Sequence, residues 1–302
     1  MRVVFMGTPP YADEILKTLL LQNDIEITGV YTQPDKPVGR KHVITPSAVK
    51  ITAKKYNLDI YQPNNLRDIS SINEFLNLKC DYVIVAAYGQ ILPQQILNHA
   101  PCINLHASIL PKYRGASPIQ EAILNDDKQT GVTAMKMDKG LDTGDIIKIS
   151  STFIKPDEMV QSLYDRLTKI ACKLAVDVLH NYHSYTPIAQ DNLTASYCGK
   201  ITKQDGLVDF DNAMTIHNKY RAFGSWPGIY LQSGLKLKSL DLYETARIHN
   251  KGQILAVEDK YIIVGCKRGS VKIYKVQPVS KREMDIISYI NGRRLGCEDY
   301  LS

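Results

Sequence analysis

The chain has 302 residues, 44% of them hydrophobic and 23% charged, with 37 Lys+Arg against 31 Asp+Glu. That length fits one large domain or two ordinary ones, and the composition excludes a disordered chain and a disulfide-stapled miniprotein. No apolar run approaches the ~18 residues of a membrane-crossing helix, and the apolar part of the N-terminus is too short for a signal segment, so a cytoplasmic protein without a membrane partner is expected.

Cys80, Cys102, Cys172, Cys198, Cys266 and Cys297 are scattered without a CxxC pair. That spacing fits reduced structural thiols and argues against a zinc site, so no metal is expected. Residues 1–200 carry 21 Lys+Arg and 20 Asp+Glu, whereas residues 201–302 carry 16 and 11. Almost all the excess positive charge therefore lies in the last third. A polyanion partner and a solubilising surface are both compatible with it.

In chain order, residues 2–7 (RVVFMG) form a short apolar run ending at glycine, read as a strand. Residues 11–21 have apolar positions at helical spacing, with Asp13 and Glu14 near the start, where carboxylates favour a helix N-terminus. Residues 25–32 read as a second strand. Residues 33–46 hold three prolines and a glycine and read as a loop, with Pro46 placed to begin the next helix. Residues 81–89 (DYVIVAAYG) are a continuous apolar run, the pattern of a strand buried on both faces. Further strands are predicted at 102–108, 130–138 and 146–154, with helices at 118–125 and 159–179. Alternating strand and helix predict an α/β fold with a doubly wound, mostly parallel sheet. Ligands of such sheets sit beyond the carboxyl ends of the strands.

Residues 184–204 are polar and aperiodic, read as a linker with some local structure. A short helix at 214–223 and five short strand-like runs between 229 and 277 follow. Their even spacing predicts a small barrel or sandwich.

The strand C-I-N-L-H-A-S (102–108) places Asn104 and His106 two apart, on one face. Polar groups there are costly unless they bond each other or serve a function, and this pair alone leaves both readings open. The loop I-L-P-K-Y-R-G-A-S-P (109–118) follows, and D-K-G-L-D-T-G-D (138–145) lies between two apolar strands. The acidic loop would share a sheet edge with Asn104 and His106 if its strand is a neighbour. A histidine, an amide and a carboxylate without a Ser or Cys nucleophile suggest direct group transfer, with acid–base work and oxyanion stabilisation.

N-x-H-x-S-(I/L)-L-P-x-x-R-G followed by G-L-D-T-G-D resembles the folate-dependent formyltransferase family. FMGTPPY (5–11), YTQPDKPVGR (31–40), PSAVK (46–50), VAAYGQILP (85–93) and RAFGSWPG (221–228) resemble the branch whose acceptor is initiator methionyl-tRNA. The resemblance thus runs over nearly the whole chain. It implies a formyltransferase-like Rossmann variant over residues 1–189, a linker over 190–203, and over 204–302 a tRNA-binding β-barrel resembling an oligonucleotide-binding fold.

The resemblance also implies the roles. Asn104, His106 and Asp142 fall on the family's catalytic positions. The donor, 10-formyltetrahydrofolate, would lie along Ser108, Ile109, Leu110 and Pro111, the segment Val85, Ala87, Tyr88, Gly89, Ile91 and Leu92, and Asp138. His106 and Asn104 would stabilise the oxyanion, while Asp142 orients His106 and takes the amine proton. Arg40 and Lys41 would engage the tRNA, in a loop with fewer charges than many relatives have. Lys203, Lys267, Arg268, Lys272 and Lys281 would meet tRNA phosphates. No DNA partner is implied, and a monomer is expected.

Formyl transfer to a small amine, hydrolysis of the formyl donor, or non-catalytic binding of tRNA or folate remain as alternatives. The first two leave the basic last third unexplained, and the last would not require Asn104, His106 and Asp142 together. Gly7-Thr8-Pro9-Pro10 is not G-x-G-x-x-G, which disfavours a dinucleotide enzyme.

Overall fold

β1 (Arg2–Gly7) is a central strand of a seven-stranded sheet in the computed structural model, which describes residues 1–39 and 42–301. Pro10 then starts α1 (Pro10–Leu20), with its fixed φ suited to a first helical turn. Lys17 on the same helix closes on Asp13 and Glu14, each at 2.8 Å. β2 (Glu26–Tyr31) follows. Residues 33–46, read from sequence as a loop, contain a small antiparallel hairpin, β3 (Lys36–Val38) with β4 (Val43–Thr45). Pro46 does not begin the next helix. Ser47 caps α2 (Ala48–Lys55) by accepting from the Lys50 amide, because a hydroxyl can satisfy an orphan N–H and proline cannot.

β5 (Ile60–Tyr61), α3 (Ile69–Leu76), β6 (Tyr82–Ala86), α4 (Gln94–His99) and β7 (Cys102–His106) come next. β8 (Arg114–Gly115), α5 (Pro118–Leu124), β9 (Gln129–Lys136), β10 (Ile146–Phe153), α6 (Val160–Asn181) and β11 (Tyr197–Cys198) follow. The sheet order is β10-β9-β7-β6-β1-β2-β5. The pairs β5–β2, β2–β1, β1–β6 and β6–β7 are parallel, whereas β9 and β10 join antiparallel. Val3 to Met6 and Val83 to Ile84 are fully buried, as a strand covered on both faces requires. Val4, Met6, Val83 and Val85 share a core cluster with Tyr31, Phe75 and Ile96.

The chain divides into two compact units. The first comprises Met1–Pro118, Gln129–Phe153 and Tyr164–Cys198, and the second comprises Ile119–Lys128, Ile154–Leu163 and the chain from Gly199 onward.

In the second unit, Asn212 caps α7 (Ala213–Ala222) by accepting from the Met214 and Thr215 amides. The strands β12 (Ile229–Tyr230), β13 (Lys236–Glu244), β14 (Ile254–Val257), β15 (Ile262–Gly265), β16 (Ser270–Gln277) and β17 (Met284–Asp285) form one antiparallel sheet. Its order is β12-β13-β16-β15-β14, with β17 on β16. β13 buries Leu237 and Leu240, three residues apart, because the ladder to β16 shifts register on either side of Ser239 and resets the alternation. α8 (Ile286–Arg293) buries Ile286 and Ile290.

Candidate active site

β7 ends on Asn104 and His106, both buried at 8% and 6% exposure. Their spacing of two puts both side chains on one face, and both face Asp142. The Asn104 Nδ2 donates to Asp142 Oδ1 at 3.2 Å. The His106 Nδ1 lies 3.6 Å from Asp142 Oδ2, too long for a direct hydrogen bond.

The route of the acidic loop differs from the sequence expectation of a shared sheet edge. β9 runs antiparallel to β7, and its last residue, Lys136, pairs with Ile103. Residues 138–145 therefore leave the sheet near the amino end of β7 and fold back across it. Asp142 sits in that fold-back with φ of 54°, a left-handed conformation that aspartate tolerates better than most residues.

The rest of the site is a mount for these three groups. The His106 Nε2 lies 2.9 Å from the Tyr113 carbonyl. A carbonyl only accepts, so Nε2 carries the hydrogen and the neutral ring presents a lone pair at Nδ1. Asp142 Oδ2 accepts from the Gly115 amide at 2.9 Å. Gly115 has φ of 121°, and a Cβ there would overlap the Cys198 carbonyl oxygen, so only glycine fits. β8 pairs with β11 in parallel, and the Arg114 and Ala116 amides donate to Ser196 and Cys198 carbonyls. Residues 190–198, polar and aperiodic in sequence, thus belong to the first unit and brace the site. Nothing in their local pattern announced it, because the signal is a set of long-range partners. Gly115 and Arg114 stood in the motif loop as residues without an assigned role.

Ser108 and Leu110 are buried, and Ile109 and Pro111 partly so. Ser108 Oγ donates to the Lys112 carbonyl at 2.6 Å, and Thr133 Oγ1 joins the Ser108 carbonyl to the Leu110 amide. The Leu110–Pro111 bond is cis. Val85 pairs with Asn104, so the carboxyl end of β6 lies beside Asn104 and His106. Val85, Tyr88 and Leu92 are buried in the core, whereas Ala87, Gly89 and Ile91 are exposed, the first two at positive φ. Asp138 closes its own loop, accepting from the Gly140 amide and Thr143 Oγ1.

Arg40 and Lys41 lie outside the described residues. In the second unit, Lys267 and Arg268 are exposed just before β16, and Lys281 is exposed after it. An eight-residue strand spans on the order of 25 Å, so these do not make one cluster. Lys272 Nζ lies over the Tyr243 and Tyr261 rings, at 5.0 and 4.9 Å. Lys203 opens a short turn whose first carbonyl accepts from Tyr230. A concavity of about 480 Å³ in this unit is lined by Leu207, Asp209, Asp211, Lys219 and Gln232, and it contains none of the assigned residues. Among the described residues, no three His, Cys, Asp or Glu side chains are grouped to hold a metal ion, and no helix is long and apolar enough to cross a membrane.

The formyl transferase family model matches residues 1–179, and the model of the formyl transferase C-terminal domain matches residues 200–294. The methionyl-tRNA formyltransferase of Sulfurimonas denitrificans is 58% identical over 302 residues and covers 100% of both chains. That of Nitratiruptor sp. is 52% identical over 301 residues, covering 99% of each, and that of Helicobacter pylori is 45% identical over 298, covering 98% of each. Among solved structures, an N-formyltransferase from Helicobacter canadensis, in complex with folinic acid and dTDP-3-aminofucose, superposes with a TM-score of 0.69. It is 19% identical, covers 90% of this chain and 98% of its own, and supports the shared fold. With both halves matched and the full length covered, the chain belongs to the formyl transferase family, in its methionyl-tRNA branch.

Proposed function

We propose that this formyltransferase moves the formyl group of 10-formyltetrahydrofolate onto the α-amino group of methionine on initiator tRNA. The observation that carries the chemistry is the convergence of Asn104, His106 and Asp142 on one face at the end of β7. An α-amino group titrates near ~7.7–8, so a useful fraction is already an uncharged nucleophile at neutral pH. The remaining work is to stabilise the oxyanion and to handle protons.

The Asn104 Nδ2 spends one hydrogen on Asp142 and has a second to offer a developing oxyanion. His106 is committed at Nε2, so every change of its protonation occurs at Nδ1, on the edge facing Asp142. Neutral, that edge accepts the proton of the attacking amine, a role the resemblance in sequence implies for Asp142, whose two oxygens here accept from Asn104 and Gly115. Charged, it donates to the oxyanion or to a departing nitrogen, with the Asp142 carboxylate beside it as counter-charge. Ser108–Pro111 and the exposed turn at Ala87–Gly89 flank this end of the sheet. The turn's main chain departs from the strand ladder and supplies polar groups for a flat heterocycle, as folate binding requires. When bound, the donor supplies the activated formyl group. In this reading the unit that ends at Cys198 carries catalysis, residues 204–302 bind tRNA, and the protein works as a cytoplasmic monomer.

The test is formyl transfer from 10-formyltetrahydrofolate to charged initiator tRNA, charged elongator tRNA and a small amine in parallel. Transfer confined to initiator tRNA is expected. Transfer to the small amine alone would overturn the acceptor assignment.

A further inference from the structure

Arg114 is 1% exposed and bonds to neutral oxygens. Its Nε and Nη2 donate to Gln190 Oε1 at 3.1 and 2.9 Å, Nη2 also donates to Asn192 Oδ1 at 2.9 Å, and Nη1 donates to the Tyr197 hydroxyl at 3.1 Å. A guanidinium has donors only, so it dictates which end of the Gln190 amide faces it. The opposite end must then be Nε2, and it donates to the Asp142 carbonyl at 2.9 Å and the Gly144 carbonyl at 2.7 Å. Both acceptor sites and both donor hydrogens of the Gln190 amide are thereby used. A reversed amide would set N–H against N–H and oxygen against oxygen at all four contacts.

The same short segment holds Asp142 a second way. Arg114 is followed by Gly115, whose amide donates to the Asp142 carboxylate. The backbone of Asp142 is thus fixed through Gln190 and its side chain through Gly115, and both holds start from β8. Asp142 needs them, since its loop crosses the face of β7 outside the sheet ladder with φ of 54°.

We propose that Gln190, clamped by Arg114, is a positioning residue that sets the place of Asp142 against Asn104 and His106. It touches neither substrate nor reacting atoms. The inference rests on the functional reading above for its kinetic consequence, but not for the physical link between Gln190 and the 138–145 loop.

The experiment uses the full chain with Gln190→Ala and Gln190→Glu, each also combined with Asp142→Ala. Gln190→Glu keeps a partner for Arg114, and therefore the fold, but has no hydrogen for the two carbonyls. A displacement of about 1 Å can cost on the order of 10²-fold in rate, so kcat should fall by that order in both single variants, with KM for tRNA and folate within about threefold of wild type. In the Asp142→Ala background the same changes should cost no more than about twofold, because the residue they position is gone. Equal losses in the two backgrounds, or wild-type kcat in Gln190→Glu, would overturn the proposal. Backbone amide exchange in residues 138–145 should speed up in both single variants, and unchanged exchange there would also overturn it. If the wild-type protein formylates no methionyl-tRNA, the functional reading fails, and the exchange measurement still decides whether Gln190 holds the loop.

Discussion

Asp142→Asn keeps the size of the side chain and removes its charge. Asp142 Oδ1 accepts from Asn104 at 3.2 Å and Oδ2 accepts from Gly115 at 2.9 Å. Both partners are donors, so either orientation of an asparagine amide sets its NH2 against one of them. The substitution also removes the counter-charge 3.6 Å from His106 Nδ1. Two unit charges at about 4 Å attract by roughly 4 kcal/mol at an effective dielectric of about 20. At about 1.4 kcal/mol per tenfold, loss of that attraction when the ring is charged slows the reaction by about 10³-fold. Single-turnover formyl transfer under saturating donor and methionyl-tRNA measures this step without product release. Thermal melting checks that the variant is folded. A folded Asp142→Asn protein within tenfold of wild type would refute the idea that the Asp142 charge supports His106.

Other outcomes follow from the same geometry. Gly115→Ala must hold a positive φ of 121° and crowd the Cys198 carbonyl, so it should cost on the order of 1–3 kcal/mol; an unchanged urea midpoint would show that β8 is not constrained by β11. Burial pushes the Cys102 and Cys266 thiols up to about 12, so at pH 8 they remain protonated and unreactive. Mass spectrometry after brief maleimide treatment should find exposed Cys297 labelled and these two labelled only in denaturant; early labelling of Cys102 would contradict its placement. Burial, and then Arg221, depress the His217 pKa below its ordinary 6.5, with Asp157, Asp241 and Asp126 opposing. The unfolded chain therefore takes up this proton first, and stability falls as pH drops from about 6.5 through the lower folded value. The urea midpoint should decline from pH 7 to pH 5, and His217→Gln should flatten that decline; an equal slope in the variant would exclude His217 as a source.

The two-sided burial of β6 could be read locally, because a continuous apolar run such as residues 81–89 has few other uses in an alternating α/β chain. Asn104 and His106 could be placed on one face because strand side chains repeat every two residues. The motifs marked the three residues, Asn104, His106 and Asp142, that we propose as catalytic. Short elements escaped notice. β5 has two residues, and α3 and α4 have eight and six, so periodicity had too little length to build on. The hairpin β3–β4 was hidden by the prolines around it.

Composition and pattern alone determined the α/β first half, the all-β character of the later strands, and the identity of the polar groups at the end of β7. Only the tertiary structure decided that β9 lies antiparallel on β7, so that the acidic loop reaches Asn104 and His106 by folding back over the strand. It alone turned residues 190–198 from a polar connector into β11 and the Gln190 contact. The physical reason is common to both. Side-chain periodicity reports which face of an element is buried, but strand direction and the partner of a buried Arg114 are settled by which donors and acceptors meet when distant segments pack.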